Sequence, residues 1–166
     1  MNATPDNRIR RCATPYKRGF TLPEALAALA VAALLAVMAV PTLRGMLEGH
    51  RIKTASFELF MTLNYARSEA IKRAAPVTIA PSGAGWHGGW RILDATGKVL
   101  KFQPAFPNGI EIAGPDNVVY ERDGRMPQVG VTAAFDVAVA DTSSSTAGRC
   151  VSVELTGRPA TRKGGC

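Results

Sequence analysis

Three regimes of hydrophobic patterning follow one another along the chain. Residues 25–40 form an unbroken run of 16 apolar side chains, extended by Phe20, Thr21 and Leu22 before it and by 41–43 after it. The resulting stretch, 20–43, is long enough for a helix to cross a hydrocarbon layer of about 30 Å. From 44 to 75 the pattern becomes amphipathic. Ile52, Ala55, Leu59, Leu63, Ala66, Ala70 and Ala74 recur at three- and four-residue steps, predicting a helix whose small and aliphatic seam packs on a sheet. Arg51, Lys53, Glu58, Glu69, Lys72 and Arg73 lie largely off that seam and read as a solvated face, with Glu69 and Arg73 a favourable pair four residues apart. Pro41 inside the helical pattern would kink it or melt it locally. Ala75 and Pro76 should end the helix, because the residue before proline is pushed out of helical geometry. A helix over 20–75 would be about 80 Å long, too long to be covered by one small domain.

After Pro76 the pattern turns to β. Candidate strands are 77–80, 89–94, 99–103, 110–113, 118–122, 133–140 and 149–155, separated by Gly, Pro, Asn and Asp turns. Residues 94–97 and 122–125 read as hairpin connections, and 141–148, DTSSSTAG, as a flexible surface loop. Seven short strands on one long helix imply an α+β fold: an antiparallel globule, as two small sheets, packed on the second half of the helix. The end of the chain, after the last candidate strand, reads as a basic C-terminal tail.

Length and composition fit this division. The chain has 166 residues, 46% of them hydrophobic, enough for one modest domain plus a segment that does not join its core. Sixteen glycines and 11 prolines favour a turn-rich body over a helical bundle. The net charge of +7 is unevenly placed: residues 1–19 carry Arg8, Arg10, Arg11, Lys17 and Arg18 against Asp6, or +4, which leaves +3 for the rest. Basicity as a whole therefore does not argue for a polyanion partner, and only local clustering can. The five basic residues ahead of the apolar run keep the N-terminus cytoplasmic and send the C-terminal body across the membrane, in a bacterium to the periplasm. An ordinary secretory cleavage site would fall after the run, where 36–39 fit an A-x-A rule only loosely.

The distinctive residues instead precede the run. The heptapeptide RGFTLPE, residues 18–24, closely resembles the class III leader of type IV prepilins, which a dedicated peptidase cuts after the glycine before methylating the new N-terminus. The resemblance implies that residues 1–19 are a leader ending at Gly19, that Phe20 becomes the first mature residue, and that Glu24 becomes the fifth. It also implies that this glutamate meets the N-terminal amine of a neighbouring subunit when apolar helices leave the bilayer and stack into a filament. A buried carboxylate is costly unless paired, so the charge would select for assembly. The simpler alternative is a glutamate resting in the headgroup region of a plain anchor. Pro41 agrees with the resemblance, and Pro23 sits in the first helical turn, where proline is well tolerated. By this reading 20–43 is the transmembrane or filament-core half of the helix, 44–75 its amphipathic half, and 76–166 a β-rich periplasmic domain: a type IV pilin fold.

Within that superfamily, 51–79, then GWRILD at 89–94, then VSVELTGRPATRKGGC at 151–166 resemble the FimT/GspH group of minor pilins and pseudopilins. The matching positions are Ala66, Arg67, Glu69, Ala70 and Ile71, with Gly157 and Arg158 near the C-terminus. Cys12 lies in the leader, whereas Cys150 and Cys166 would both be exported to an oxidising compartment, where a disulfide between them is expected. Two separate free thiols are the alternative. The segment 149–166 holds Arg149, Arg158, Arg162 and Lys163 against Glu154, a local balance of +3, and such groups suit phosphate. FimT-like minor pilins are associated with DNA capture in natural transformation through a basic G-R-x-R element. This chain reads Gly157-Arg158-Pro159-Ala160-Thr161-Arg162, with the second arginine displaced by two positions. The resemblance thus implies sequence-independent DNA binding through Arg149, Arg158, Arg162 and Lys163, against the plainer reading of a solvated basic tail.

Catalysis finds no constellation. His50 reads as a polar-face helix residue and His87 as part of a loop between two tryptophans, and no zinc spacing, phosphate loop or nucleophile motif is present. Trp86 and Trp90 suit a core or turn role better than base stacking. Neither enzyme activity nor a cofactor or metal is expected. The partners implied are other pilins or pseudopilins in a filament, the prepilin peptidase, the inner membrane and DNA. A type II secretion pseudopilin, or an assembly-priming minor pilin without DNA binding, is the competing role.

Overall fold

The computed structural model describes residues 19–106, 109–127, 133–141 and 146–166, without the side chains at 38, 41 and 42. The expected leader up to residue 18 with Cys12, the ring of Pro41, and most of the loop 141–148 lie outside the described residues. The chain divides into two units, one ending at Ala39 and the other beginning at Val40.

One helix, α1 (Leu22–Arg73), contributes to both units. Its start carries one half of a capping box. Thr21 precedes the first helical residue, and Glu24, three positions on, reaches back to accept the Thr21 backbone N–H at 3.5 Å. In the first unit the apolar side chains stand in the open, Leu22, Leu29, Leu34 and Val37 among them at 63% exposure or more. Among the described residues no helix is long and apolar enough to cross a membrane; the expectation of a span over 20–43 rests on the sequence.

In the second unit the seam is where the periodicity puts it. Ile52, Ala55, Leu59, Leu63, Ala66 and Ala70 are all buried. Ala74 is the exception, exposed and left-handed at φ 50°. It closes the helix: the Ala74 N–H donates to the Ile71 carbonyl and the Ala75 N–H to the Ala70 carbonyl, a Schellman arrangement that satisfies orphan carbonyls just before Pro76 forbids further helix. The helix therefore stops at Arg73 rather than Ala75.

Eight strands follow, in two four-stranded antiparallel sheets. The first sheet takes β1 (Val77–Pro81), β2 (Trp90–Leu93), β3 (Val99–Gln103) and β5 (Val118–Tyr120) in the order β3-β2-β1-β5. The second takes β4 (Ile110–Ala113), β6 (Ala133–Val139), β7 (Arg149–Val153) and β8 (Pro159–Lys163) in the order β4-β6-β7-β8. The α+β architecture with two small sheets is as expected, and seven strands fall on the seven candidate segments. The eighth lies in the stretch read as a tail.

The core joins the α1 seam to Val77, Ile79, Ile92, Val118 and Tyr120 of the first sheet and to Phe135, Val137, Val151 and Val153 of the second. Both tryptophans belong to it. Trp86, in a 3₁₀ turn at Trp86–Gly88, packs edge-on against Phe135 at 4.8 Å and donates to the Pro115 carbonyl, and Trp90 donates to Thr62 Oγ1 of α1. Their polar edges are satisfied inside the fold, which suits buried indoles.

Candidate functional site

The charges near the end of α1 do structural work. Glu69, expected on a solvated face, is only 7% exposed. Its carboxylate accepts from Arg73 Nε at 2.7 Å and from Lys72 Nζ at 3.5 Å, and Arg73 also faces Asp94 at 4.0 Å. The Arg73 hydrogen bond holds the Glu69 carboxyl below its ordinary value of 4.5, against the opposing effect of burial. Asp94 is likewise held down, first by the Thr96 hydroxyl and then by the backbone N–H groups of Lys98 and Thr96. The helix end is thus tied to the β2–β3 turn. Arg67 forms a second tie. Its Nε donates to the Gly124 carbonyl and a terminal nitrogen to the Thr156 carbonyl, so one guanidinium joins the turn after β5 to the β7–β8 turn. Beneath them the Tyr120 hydroxyl is buried, which pushes its pKa up, with the Arg67 charge acting the other way.

Gly157 sits in that second turn at φ 78°, and a Cβ there would collide with the Gly124 carbonyl. Arg67, Glu69 and Gly157, three positions carrying the resemblance to the FimT/GspH group, therefore act in packing. Sequence reading could not find this, because the contacts span 57 and 89 residues.

The cationic residues of 149–163 occupy one hairpin but do not converge. Arg149 pairs with Lys163 across β7 and β8, and Cys150 pairs with Arg162. Alternation then puts Arg149 and Lys163 on the inward side with the buried Val151 and Val153, and Arg162 on the opposite side with Cys150. Arg158 lies in the turn at the far end of the hairpin, five residues from Lys163, or about 16 Å of extended chain. Arg158, Arg162 and Lys163 are exposed, whereas Arg149 is half-buried. Arg162 donates to the Cys166 backbone oxygen.

Cys150 and Cys166 are joined, with Cα atoms 4.9 Å apart. The bond closes a loop around β8 and fastens its end to β7. Replacing Cys166 with serine is expected to lower stability by about 3 kcal/mol in the chain-entropy account, read as a lower urea midpoint with unchanged slope.

At the other end of α1, Gly19 and Phe20 are exposed, and Glu24 lies one turn into the helix within reach of its own N-terminal backbone. The Thr21-x-x-Glu24 capping pattern was readable from sequence. Two further groups gather with the Arg149–Lys163 pair without having been singled out as a site: Lys53 and His50 of α1 line clefts against Arg149.

Comparisons with known proteins agree with this geometry. Residues 55–157 match the family described as Type II transport protein GspH, and residues 14–40 match the prokaryotic N-terminal methylation motif. Two crystal structures of the type IV minor pilin FimU from Pseudomonas aeruginosa strain PAO1 share the fold. One aligns with a TM-score of 0.59 at 21% identity, covering 68% of this chain and 89% of that one. The other aligns with a TM-score of 0.55 at 22% identity, covering 66% and 91%. Comparison with curated proteins gives no match. A family match over more than half of the residues, an N-terminal methylation motif that takes in most of the exposed apolar stem, and a long helix on two antiparallel sheets together establish that the chain belongs to the GspH family of pilin-like minor pilins and pseudopilins.

Proposed function

We propose that this chain is a minor pilin of a type IV pilus that waits in the inner membrane through residues 20–43, is cut after Gly19 and methylated on Phe20 by the prepilin peptidase, and then enters the filament. We further infer that its β7–β8 hairpin binds DNA without sequence preference and supports uptake of transforming DNA. The observation that carries the filament reading is the contrast along α1. The described apolar side chains before residue 40 are exposed, whereas the seam from Ile52 to Ala70 is covered by the protein's own sheets. An apolar stem of that length requires lipid or other helices around it.

Support for the DNA reading comes from Arg158, Arg162 and Lys163, three exposed cations on one disulfide-closed hairpin. Cations spread over both faces of a hairpin suit a polyanion that is met as a charged surface rather than read base by base. Each phosphate neutralised contributes about 0.9 to the slope of log affinity against log salt. Replacing Arg158, Arg162 and Lys163 together with alanine should weaken duplex binding in a mobility-shift titration and flatten that slope by about 2 to 3. An unchanged titration would remove the DNA role.

A specific observation favours the second reading, a type II secretion pseudopilin or an assembly-priming subunit without DNA binding. Gly157 is already accounted for by its contact with the Gly124 turn, so the glycine-arginine element needs no ligand to explain its first member. Transformation frequency and secretion measured in a strain lacking the protein separate the two roles.

A further inference from the structure

The second sheet is wider than the helix that covers it. On β7 the inward side chains Val151 and Val153 are fully buried, yet β8 is exposed along most of its length, including Thr161 and Lys163 on the same inward side. α1 thus leaves the inner face of the edge strand open. A cleft of about 600 Å³ lies between them, its walls including Lys53, Phe57 and Phe60 from the helix and Arg149 and Thr161 from the sheet. A second cleft of about 390 Å³ adjoins it through Lys53 and Arg149 and is bordered by Lys163.

Two features specify what would fill it. The first is charge. His50, Lys53, Arg149 and Lys163 line the pair of clefts, and among the described residues no Asp or Glu does. Arg149 Nε is buried without a hydrogen-bond partner among the described residues, a donor left for an incoming acceptor. The second is the apolar wall and its continuation. Phe57 is 58% exposed, and Leu43, Met46, Leu47 and Met61 are exposed on the same helix. At 100° per residue these five lie on the side of α1 opposite the buried seam. His50 and Thr54 interrupt this side between Leu47 and Phe57, so exposed apolar side chains flank the cationic cleft in two groups, Leu43, Met46 and Leu47 before it and Phe57 and Met61 beside it.

We propose that this cleft seats a segment of a neighbouring pilin-like subunit, apolar along most of its length and carrying a carboxylate that meets Arg149 and Lys53. A phosphodiester chain would satisfy the cations but would leave Phe57 and the other exposed apolar side chains of α1 uncovered, and the exposed arginines of the hairpin, Arg158 and Arg162, lie away from the cleft. A protein segment covers both features at once. The inference rests on membership of a filament-forming family; it shares Lys163 with the DNA reading, but its test at Lys53 and Thr161 touches none of the three cations that reading uses.

The test is photocrosslinking in cells that assemble the filament, with benzoylphenylalanine replacing Thr161 in the full-length chain. The expected product joins Thr161 to another filament subunit at a segment containing Asp or Glu. The variant Lys53→Glu, at an exposed helix position, should cut its yield by about tenfold, because like charges now face each other. Changing the mapped carboxylate to lysine in the partner should restore it. An unchanged urea midpoint for Lys53→Glu separates this loss from misfolding. Products with lipid or nucleic acid alone, a mapped segment without a carboxylate, or a yield indifferent to Lys53→Glu would overturn the proposal.

Discussion

Gly157→Ala is expected to destabilise the Val40–Cys166 unit by about 2–5 kcal/mol, one of the largest effects of any single methyl group in this protein. Two costs add. The residue sits at φ 78°, where an L side chain costs about 1–2 kcal/mol. Its new Cβ would also run into the Gly124 carbonyl and crowd Arg125 Cα, and overpacking against backbone costs about 1–3 kcal/mol more. Neither turn is free to retreat, because Arg67 holds both through the Gly124 and Thr156 carbonyls. Gly97→Ala supplies the control: φ is 83° there, but nothing lies within 4 Å of the added Cβ, so only the backbone cost of about 1–2 kcal/mol applies. Urea denaturation of the two variants against the parent checks this. Equal losses would mean that the two turns separate easily and that the Arg67 tie is weak.

The reason Gly157 could be mistaken for part of a ligand element also explains how far the sequence was readable. Local periodicities were legible. The six buried seam residues of α1 follow the 3.6-residue repeat, and seven strands follow runs of apolar and β-branched residues bounded by turn formers. What failed was whatever depends on distant partners. β8, PATRK, opens with proline and shows no apolar alternation, so nothing local marks it; pairing with β7 and the Cys150–Cys166 bond make it a strand. Once it is a strand, residues close in sequence separate in space, and Arg162 parts from Arg149 and Lys163. Glu69 was read as solvated for a similar reason. The β2–β3 turn reaches its partner Arg73 through Asp94, a contact 21 residues away in sequence that no helix periodicity announces. The cleft beside Phe57 was illegible because a helix seam predicts what is covered, not where the covering sheet overhangs.

Glu24 is where one pattern carries two readings, and a conservative substitution separates them. Glu24→Ala is expected to abolish incorporation into filaments while leaving membrane insertion intact, since the apolar run that drives insertion is untouched. That result alone is ambiguous, because the carboxylate also makes one half of a capping box with Thr21, and losing a cap costs helix stability of its own, about 0.5–2 kcal/mol. Glu24→Gln keeps the cap, since glutamine serves at the third helical position as glutamate does, but it removes the charge. If the carboxylate neutralises the Phe20 ammonium of an adjoining subunit inside the filament, glutamine fails almost as completely as alanine, because it leaves that ammonium buried without a counter-charge, an arrangement that costs several kcal/mol. If the cap were the whole role, glutamine would assemble normally and alanine would be impaired only mildly. Counting each variant in sheared filaments against its abundance in the membrane fraction decides between them, and the pairing account requires the glutamine variant to remain in the membrane.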